Sequence, residues 1–344
     1  MIKKYAPVMI PTLNRYEHFK ECLDSLEKCT GADMTDVFVA LDYPPGEKYV
    51  DGWEKIDSFL KEKERENNFG RLIVIRRNHN YGIYNEHSNF AELGKYVQSR
   101  YDYCIVSEDD NVFSPNFLEY INKGLEKYAN DETVYAICGY TQPYEFRANG
   151  NNFFRHNTDF SAWGYGDFVE KKKKLMNDIK NGYLRKTFSF SNCKKVRKHG
   201  FNRLYQYITY CFWYKKDYMP ITDCVITCYL IVKDMQVICP IISKVRNIGW
   251  DESGQSFKNP KLLKKYDDIA KRHRIQPIDE EITFDYVGDE WAYYDYNNNL
   301  TADVSEAKMS LGEFIYQTFI FFVKLTAKQF GITPIVRKLK KISI

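Results

Sequence analysis

The sequence predicts an α/β fold built on a mostly parallel sheet. Two observations carry that prediction. Over about the first 140 residues, short apolar runs alternate strictly with segments of helical spacing. The apolar runs are continuous rather than alternating in polarity, as expected of strands covered on both faces.

The elements follow in order. "APVMI" (6–10) reads as a strand stopped by Pro11. "YEHFKECLDSLEKC" (16–29) has apolar residues at 16, 19, 22, 23 and 26, which is helical spacing. "DVFVALD" (36–42) and "RLIVIRR" (71–77) read as strands, with a charged helix over 49–67 between them. A helix over 85–100 leads to the strand "YDYCIVSEDD" (101–110), a helix over 115–128 and the strand "TVYAICGY" (133–140). After residue 140 the pattern loosens. Residues 155–168 read as a loop rich in Gly and aromatics, 169–179 and 223–235 as helices, 237–245 as a strand region and 246–256 as a loop.

Ligands of open parallel sheets bind at the carboxyl ends of the strands. The prominent polar residues fall there: Thr12, Asn14 and Arg15, then Asp42, then Arg76 to Asn80, then Glu108, Asp109 and Asp110. Three adjacent acids after a buried strand have two readings. One is a loop before a helix that starts at Ser114 and Pro115, where acids suit the helix dipole. The other is a cation site, since a divalent ion relieves the repulsion of neighbouring carboxylates. The convergence of polar strand ends favours the cation site.

Bulk composition sets bounds. The 344 residues are 44% hydrophobic and 28% charged, ordinary for one large domain or two smaller ones. A formal charge of +4 gives no argument for nucleic acid. Aromatics reach 16%, with 28 Tyr. Nine cysteines, without a CxxC or a Cys/His pair at zinc spacing, read as reduced thiols of a cytosolic protein. The first 15 residues contain no apolar signal core, and no window reaches the length needed to span a bilayer. Residues 311–344 form an apolar segment interrupted by Gln317, Lys324 and Lys328, with six Lys or Arg and no acid after Glu313. That pattern predicts a helix lying on an anionic membrane surface, against the alternative of a helix packed on its own domain.

Six segments together resemble the GT-A glycosyltransferases, the bacterial family-2-like enzymes in particular. They are "PVMIPTLNRYEHFKECLDSL", "LDYPPG", "NHNYGIYNEHSNF", "SEDD", "SAWGYGDF" and "VRNIGWDESGQS". "SEDD" stands where the GT-A enzymes carry their Asp-x-Asp motif, and its Glu-Asp-Asp is similar to that of the N-acetylglucosaminyltransferase I type. The resemblance spans roughly residues 5 to 256. It departs from the family in the last loop, where Glu252 replaces the usual Gly and Gln255 and Ser256 stand where a Thr-His is usual.

The resemblance implies a catalytic domain over 1–256, with a nucleotide-sugar half to about 140 and an acceptor half beyond it. A Tyr-rich extension (257–310) and the basic segment (311–344) would follow. It implies Mn²⁺ or Mg²⁺ at Asp110, a nucleoside-diphosphate sugar donor, UDP the expected nucleotide, and a glycan or lipid-linked acceptor. Pro11, Thr12, Asn14 and Arg15 would line the nucleotide pocket, with Arg15 near the diphosphate. Asp42 would accept from base or ribose, and Asn80, Gly82 and Asn85 would border the ribose. Glu108 would face the ribose and Asp109 would reach the metal through water. Trp163 and Gly164 would form the acceptor-side platform. Asp223 matches the catalytic base by spacing, with Asp217 and Asp251 as rivals, and a single base on the face opposite the leaving group implies inversion. The expected setting is the inner face of a bacterial cell membrane, in surface polysaccharide synthesis. Two other classes compete. A sugar nucleotidyltransferase would carry a Gly-rich loop after the first strand, which "IPTLNR" lacks; a non-catalytic carbohydrate-binding protein would have lost the acids.

Overall fold

In the computed structural model of the chain, the described residues are 4–83, 85–143, 145–146, 153–213, 221–251, 253–254, 267–279, 300–302 and 309–331. Glu252, Gln255, Ser256, Asp217, most of 257–310 and the segment 332–344 lie outside them. The chain runs β1 (Val8–Thr12), α1 (Tyr16–Glu27), β2 (Asp36–Leu41), α2 (Val50–Glu66), β3 (Arg71–Arg76), α3 (Asn89–Gln98) and β4 (Tyr103–Val106). It continues through β5 (Asn111–Phe113), α4 (Phe117–Lys127), β6 (Val134–Cys138), β7 (Glu145–Phe146), β8 (Phe153–His156), β9 (Tyr165–Phe168), α5 (Val169–Lys180) and α6 (Tyr183–Lys186). Then follow α7 (Phe190–Arg197), α8 (Phe201–Cys211), α9 (Asp223–Lys233), β10 (Gln236–Pro240), β11 (Val245–Asn247), α10 (Asp267–Ile275), β12 (Leu300–Ala302) and α11 (Leu311–Gln329).

Two compact units divide the chain: residues 1–173 with 235–305, and residues 174–234 with 306–344. The first is the predicted α/β fold. Its sheet has eight strands in the order β3-β2-β1-β4-β9-β6-β10-β8. The pairs β1/β2, β2/β3, β1/β4 and β6/β10 are parallel, while β9 and β8 run against their neighbours. Val8, Ile10, Val37, Val39, Ile105 and Ile137 are fully buried, which is why these runs are apolar without alternation.

Pro11 does not end the first strand, which continues to Thr12. Proline removes a ladder donor. Odd-numbered residues of β1 face β4, where the pairing stops at Met9, so no donor is missed at position 11. The helix predicted over 85–100 starts at Asn89, with Ser88 accepting from the Ala91 amide. The helix predicted from 115 starts at Phe117, with Asn116 at its N-cap; the Ser114 hydroxyl donates to Asn116 Oδ1 at 2.7 Å instead of capping. The loop predicted over 155–168 contains the end of β8 and the whole of β9.

The second unit contains α6 to α9 and α11, with the end of α5. Residues Val225 to Val232 of α9 are buried, and the Tyr229 hydroxyl donates to Asp178 at 2.7 Å. α8 meets α11 through Phe201 on Phe314 and Phe212 on Phe322. All nine cysteines are free thiols, seven of them buried. Among the described residues, no helix is long and apolar enough to cross a membrane.

Candidate functional site

Three groups of sequence-predicted residues assemble at the carboxyl edge of the sheet. The first answers why three acids follow β4. Glu108 is exposed. Asp109 and Asp110 are buried, and Arg15, at the start of α1, reaches both. Its Nη2 bonds Asp109 Oδ1, and its Nη1 lies 2.8 Å from Asp110 Oδ2. The Thr12 hydroxyl donates to Asp109 Oδ2 at 3.0 Å. Burial pushes the Asp110 carboxyl above the usual carboxylate range, with Arg15 opposing and Asp109 adding to the shift. Arg15 is thus the chain's own counter-charge to the pair.

β5 and β11 fix the other side of Asp110. They pair antiparallel with Asn247 opposite Asn111, and the Ile248 amide donates to the Asp110 carbonyl at 2.9 Å. Asn247 Nδ2 donates to Asp110 Oδ1 at 2.6 Å, while its Oδ1 accepts from the Gly249 amide at 3.1 Å. A Cβ on Gly249 would stand 2.0 Å from Asp110 Oδ2 and 3.0 Å from Arg15 Nη1, so only glycine lets the Asp110 carboxylate pack this close to the loop. Gly249→Ala is therefore expected to destabilise the protein by about 1–3 kcal/mol, the usual cost of overpacking. It should also weaken nucleoside-diphosphate binding. Thermal unfolding and calorimetric titration check both; an unchanged melting temperature would mean the 248–254 loop moves aside freely.

Asp251 follows in the same loop. His18 Nε2 lies 2.9 Å from Asp251 Oδ2, and the Ser253 amide and hydroxyl donate to Oδ1 at 3.1 and 2.6 Å. Burial would raise the Asp251 pKa, but these partners hold it below the ordinary carboxylate range. Sequence reading missed Asn247, Gly249 and His18 as parts of the site. For Asn247 and Gly249 the signal was present in "VRNIGW"; nothing in the sequence marks His18.

The second group lies where β2 and β3 end. Asp42 Oδ1 accepts from the Tyr43 and Tyr81 amides, both at 2.9 Å. Its Oδ2 accepts from the Gly82 amide at 3.1 Å and from Asn80 Nδ2 at 3.2 Å. A carboxylate offers about four lone-pair directions, and the chain's own donors occupy that many. Gly82 has φ +68°, a conformation that favours glycine. Asn85 braces the loop, donating to the Tyr81 carbonyl at 3.0 Å and accepting from the His87 amide at 2.8 Å. Asn14 sits beside α2, where a Cβ on Gly52 would meet its carbonyl oxygen at 2.0 Å.

The third group follows from β9. Because Tyr165 pairs antiparallel with Val106, residues 163 and 164 arrive at the same edge as the acids. Gly164 has φ +71°, and its carbonyl accepts from the Gly139 amide at 2.7 Å. Trp163 is half-buried in an aromatic cluster, edge-on to Tyr140 at 4.7 Å and to Trp250 at 5.9 Å. His273 of α10 stacks on Trp250 at 4.4 Å, and its Nδ1 bonds the Tyr140 hydroxyl. Burial lowers the His273 pKa from 6.5 to about 4. A depressed folded-state pKa means stability present above pH 6.5 and lost as pH falls towards 4. The loss should reach about 3 kcal/mol. Melting curves from pH 7 to 4.5 should fall less steeply for His273→Phe, which keeps a ring but cannot titrate; parallel curves would place the acid sensitivity elsewhere.

Asp223 belongs to the second unit. It is the first residue of α9, half-buried, with Thr222 at the N-cap position. Among the described residues, no three His, Cys, Asp or Glu side chains group as ligands for a metal ion.

Neither protein-family models nor curated proteins match the chain. Solved structures with partial similarity include the mannosyltransferase PcManGT from Pyrobaculum calidifontis in complex with GDP-Man and Mn²⁺. It is 10% identical, with 67% of this chain and 70% of that one covered, at a TM-score of 0.35. Residues 1–349 of S. aureus TarS, in complex with UDP-GlcNAc, are 14% identical over 51% of this chain and 48% of that one, at 0.36. Mouse xyloside xylosyltransferase 1 is 10% identical over 50% of this chain and 69% of that one, at 0.30.

Proposed function

We propose that the chain is a metal-dependent glycosyltransferase of the GT-A type. It moves a sugar from a nucleoside-diphosphate sugar, UDP being the expected nucleotide, to a hydroxyl of a glycan or lipid-linked saccharide, with inversion. The observation that supports this reading best is the meeting of Thr12, Arg15, Asp109, Asp110, Asn247 and Gly249, drawn from three distant segments, at the carboxyl edge of a mostly parallel sheet.

The residues fit a hard divalent cation. The acid pair offers only oxygen donors, and Gly249, lacking a side chain, lets the Asp110 carboxylate lie against the loop backbone. Asp110, with Asp109, would hold Mn²⁺ or Mg²⁺ together with donor phosphate oxygens. When bound, the ion supplies neutralisation of charge on the leaving diphosphate. Arg15, placed on the acids, would contribute charge-assisted hydrogen bonds to the same diphosphate. Asp42 shapes the nucleoside pocket by holding residues 80–82. Asn80 Nδ2, its longest donor, is the one a base or ribose would displace. Trp163 and Gly164 would bound the acceptor side.

Asp223 would take the proton of the acceptor hydroxyl. Asp251 is the weaker candidate, since His18 and Ser253 already engage its carboxylate and lower its basicity. The bacterial setting, surface polysaccharide synthesis at the inner membrane face with residues 311–344 as the attachment, belongs to the same proposal.

The test is a panel of nucleoside-diphosphate sugars, each with and without Mn²⁺, scored by thermal shift and by release of nucleoside diphosphate. One donor should stabilise the protein in the presence of metal and be slowly hydrolysed. A response to nucleoside triphosphate with sugar 1-phosphate, and to no nucleotide sugar, would overturn the reading in favour of a nucleotidyltransferase.

A further inference from the structure

Charge is divided unevenly between the two units. Residues 174–234 and 306–344 carry 19 Lys and Arg against 6 Asp and Glu, and the remainder carries 31 against 40. A chain of near-neutral total thus contains a second unit of +13.

The same unit leaves a large apolar surface uncovered. A helix resting on a domain normally turns its polar face outward. α11 turns apolar residues outward as well as inward. Phe314 and Phe322 pack on α8, while Ile315, Tyr316 and Phe319 are 58, 61 and 65% exposed. The patch continues beyond α11, because Phe322 touches Phe212 and Phe212 touches Phe188 at 5.0 Å. Phe190, two residues on, is 87% exposed. Basic residues border these rings. The Arg197 guanidinium lies over Phe201 at 3.5 Å, and Lys186, Lys194, Lys198 and Lys324 are exposed.

We infer that this folded face, formed by α11 with the start of α7, docks on an anionic bilayer surface. The proposal rests on the membrane reading of the C-terminal segment and moves the contact from a tail to a built surface. Charge complementarity decides the occupant. Two copies of a unit carrying +13 repel each other, whereas anionic headgroups attract it. A polyanion without an apolar phase would leave Ile315, Phe319 and Phe190 in water. On a bilayer, the rings enter the boundary between headgroups and acyl chains while the bordering lysines meet lipid phosphate.

Flotation of the full chain with phosphatidylglycerol-containing and with pure phosphatidylcholine vesicles tests this. Binding should require the anionic lipid and weaken with salt. Ile315→Ser with Phe319→Ser and Phe190→Ser should abolish flotation while circular dichroism stays unchanged. Lys194→Gln with Lys198→Gln should weaken it on the order of 30-fold, since each basic residue near such a surface contributes a factor of about five. Neutralising Arg337, Lys338, Lys340 and Lys341 should weaken it and leave binding detectable. If the tail variant alone loses binding and the face variants float normally, the folded face is not the contact, though membrane attachment stands. If nothing floats, both readings fail. A dimer in sedimentation that Phe319→Ser splits, or retention on heparin without flotation, would also overturn the proposal.

Discussion

Asp223→Asn is expected to lower turnover by a factor on the order of 100 to 10,000, the usual contribution of a general base, with donor affinity unchanged. The substitution keeps shape and removes only the ability to accept a proton. Asp223 stands at the first position of α9, after Thr222 at the N-cap. The N-cap position itself is thus occupied by Thr222, whose side chain makes no capping hydrogen bond. An acid in the first turn is stabilised by the helix dipole by about 0.3–1 kcal/mol, so some loss of melting temperature accompanies the substitution. The discriminating readouts are turnover with saturating donor and donor affinity by calorimetry. Normal turnover in a variant that merely melts earlier would remove Asp223 from the chemistry and return attention to Asp251.

The second large effect is expected at Asp110. Asp110→Asn should abolish metal-dependent binding of nucleoside diphosphate, while Asp109→Asn should do less. The difference follows from the partners. Asp109 meets the Thr12 hydroxyl, which can turn from donor to acceptor when an amide replaces the carboxylate. Asp110 meets Arg15 on one oxygen and Asn247 Nδ2 on the other. Both are donors, and an amide NH₂ would face one of them whichever way it is placed. Turning the Asn247 side chain would forfeit its bond from the Gly249 amide. Titration of Mn²⁺ with nucleoside diphosphate into the two variants checks the ranking. Full activity of Asp110→Asn in the presence of chelator would sink the metal reading.

Much of the first unit was legible in the sequence because its strands are fully buried and hence uniformly apolar. Boundaries failed where one local bond decides them, as at Pro11, Ser88 and Asn116. The missed strands have a different cause. β9 is "YGDF", with a glycine packed against Ile121 and a buried Asp167 salt-bridged to Lys172 at 2.8 Å. Nothing in such a run signals a central strand. The three-residue strands β5 and β11 are too short for periodicity to register, yet they position Asn247 and Gly249 against Asp110. The acid pair was legible as an isolated charge cluster after an apolar run. That Arg15 lies across it was not, because a sequence shows a charge and not its direction.

The position of β9 also bears on how the chain is made. β4 and β6 are both complete before Tyr165, and the strand that joins them is synthesised last of the three. From Cys138 to Phe168 the ribosome adds about 30 residues; at 5–20 residues per second this takes about 2–6 seconds. For that interval two buried-type strands have exposed, unpaired edges. β6 then waits about 70 further residues for β10, which β8 also needs. Slowing elongation between residues 138 and 168 should therefore raise the fraction of nascent chain captured by chaperones, and the N-terminal 140 residues expressed alone should aggregate.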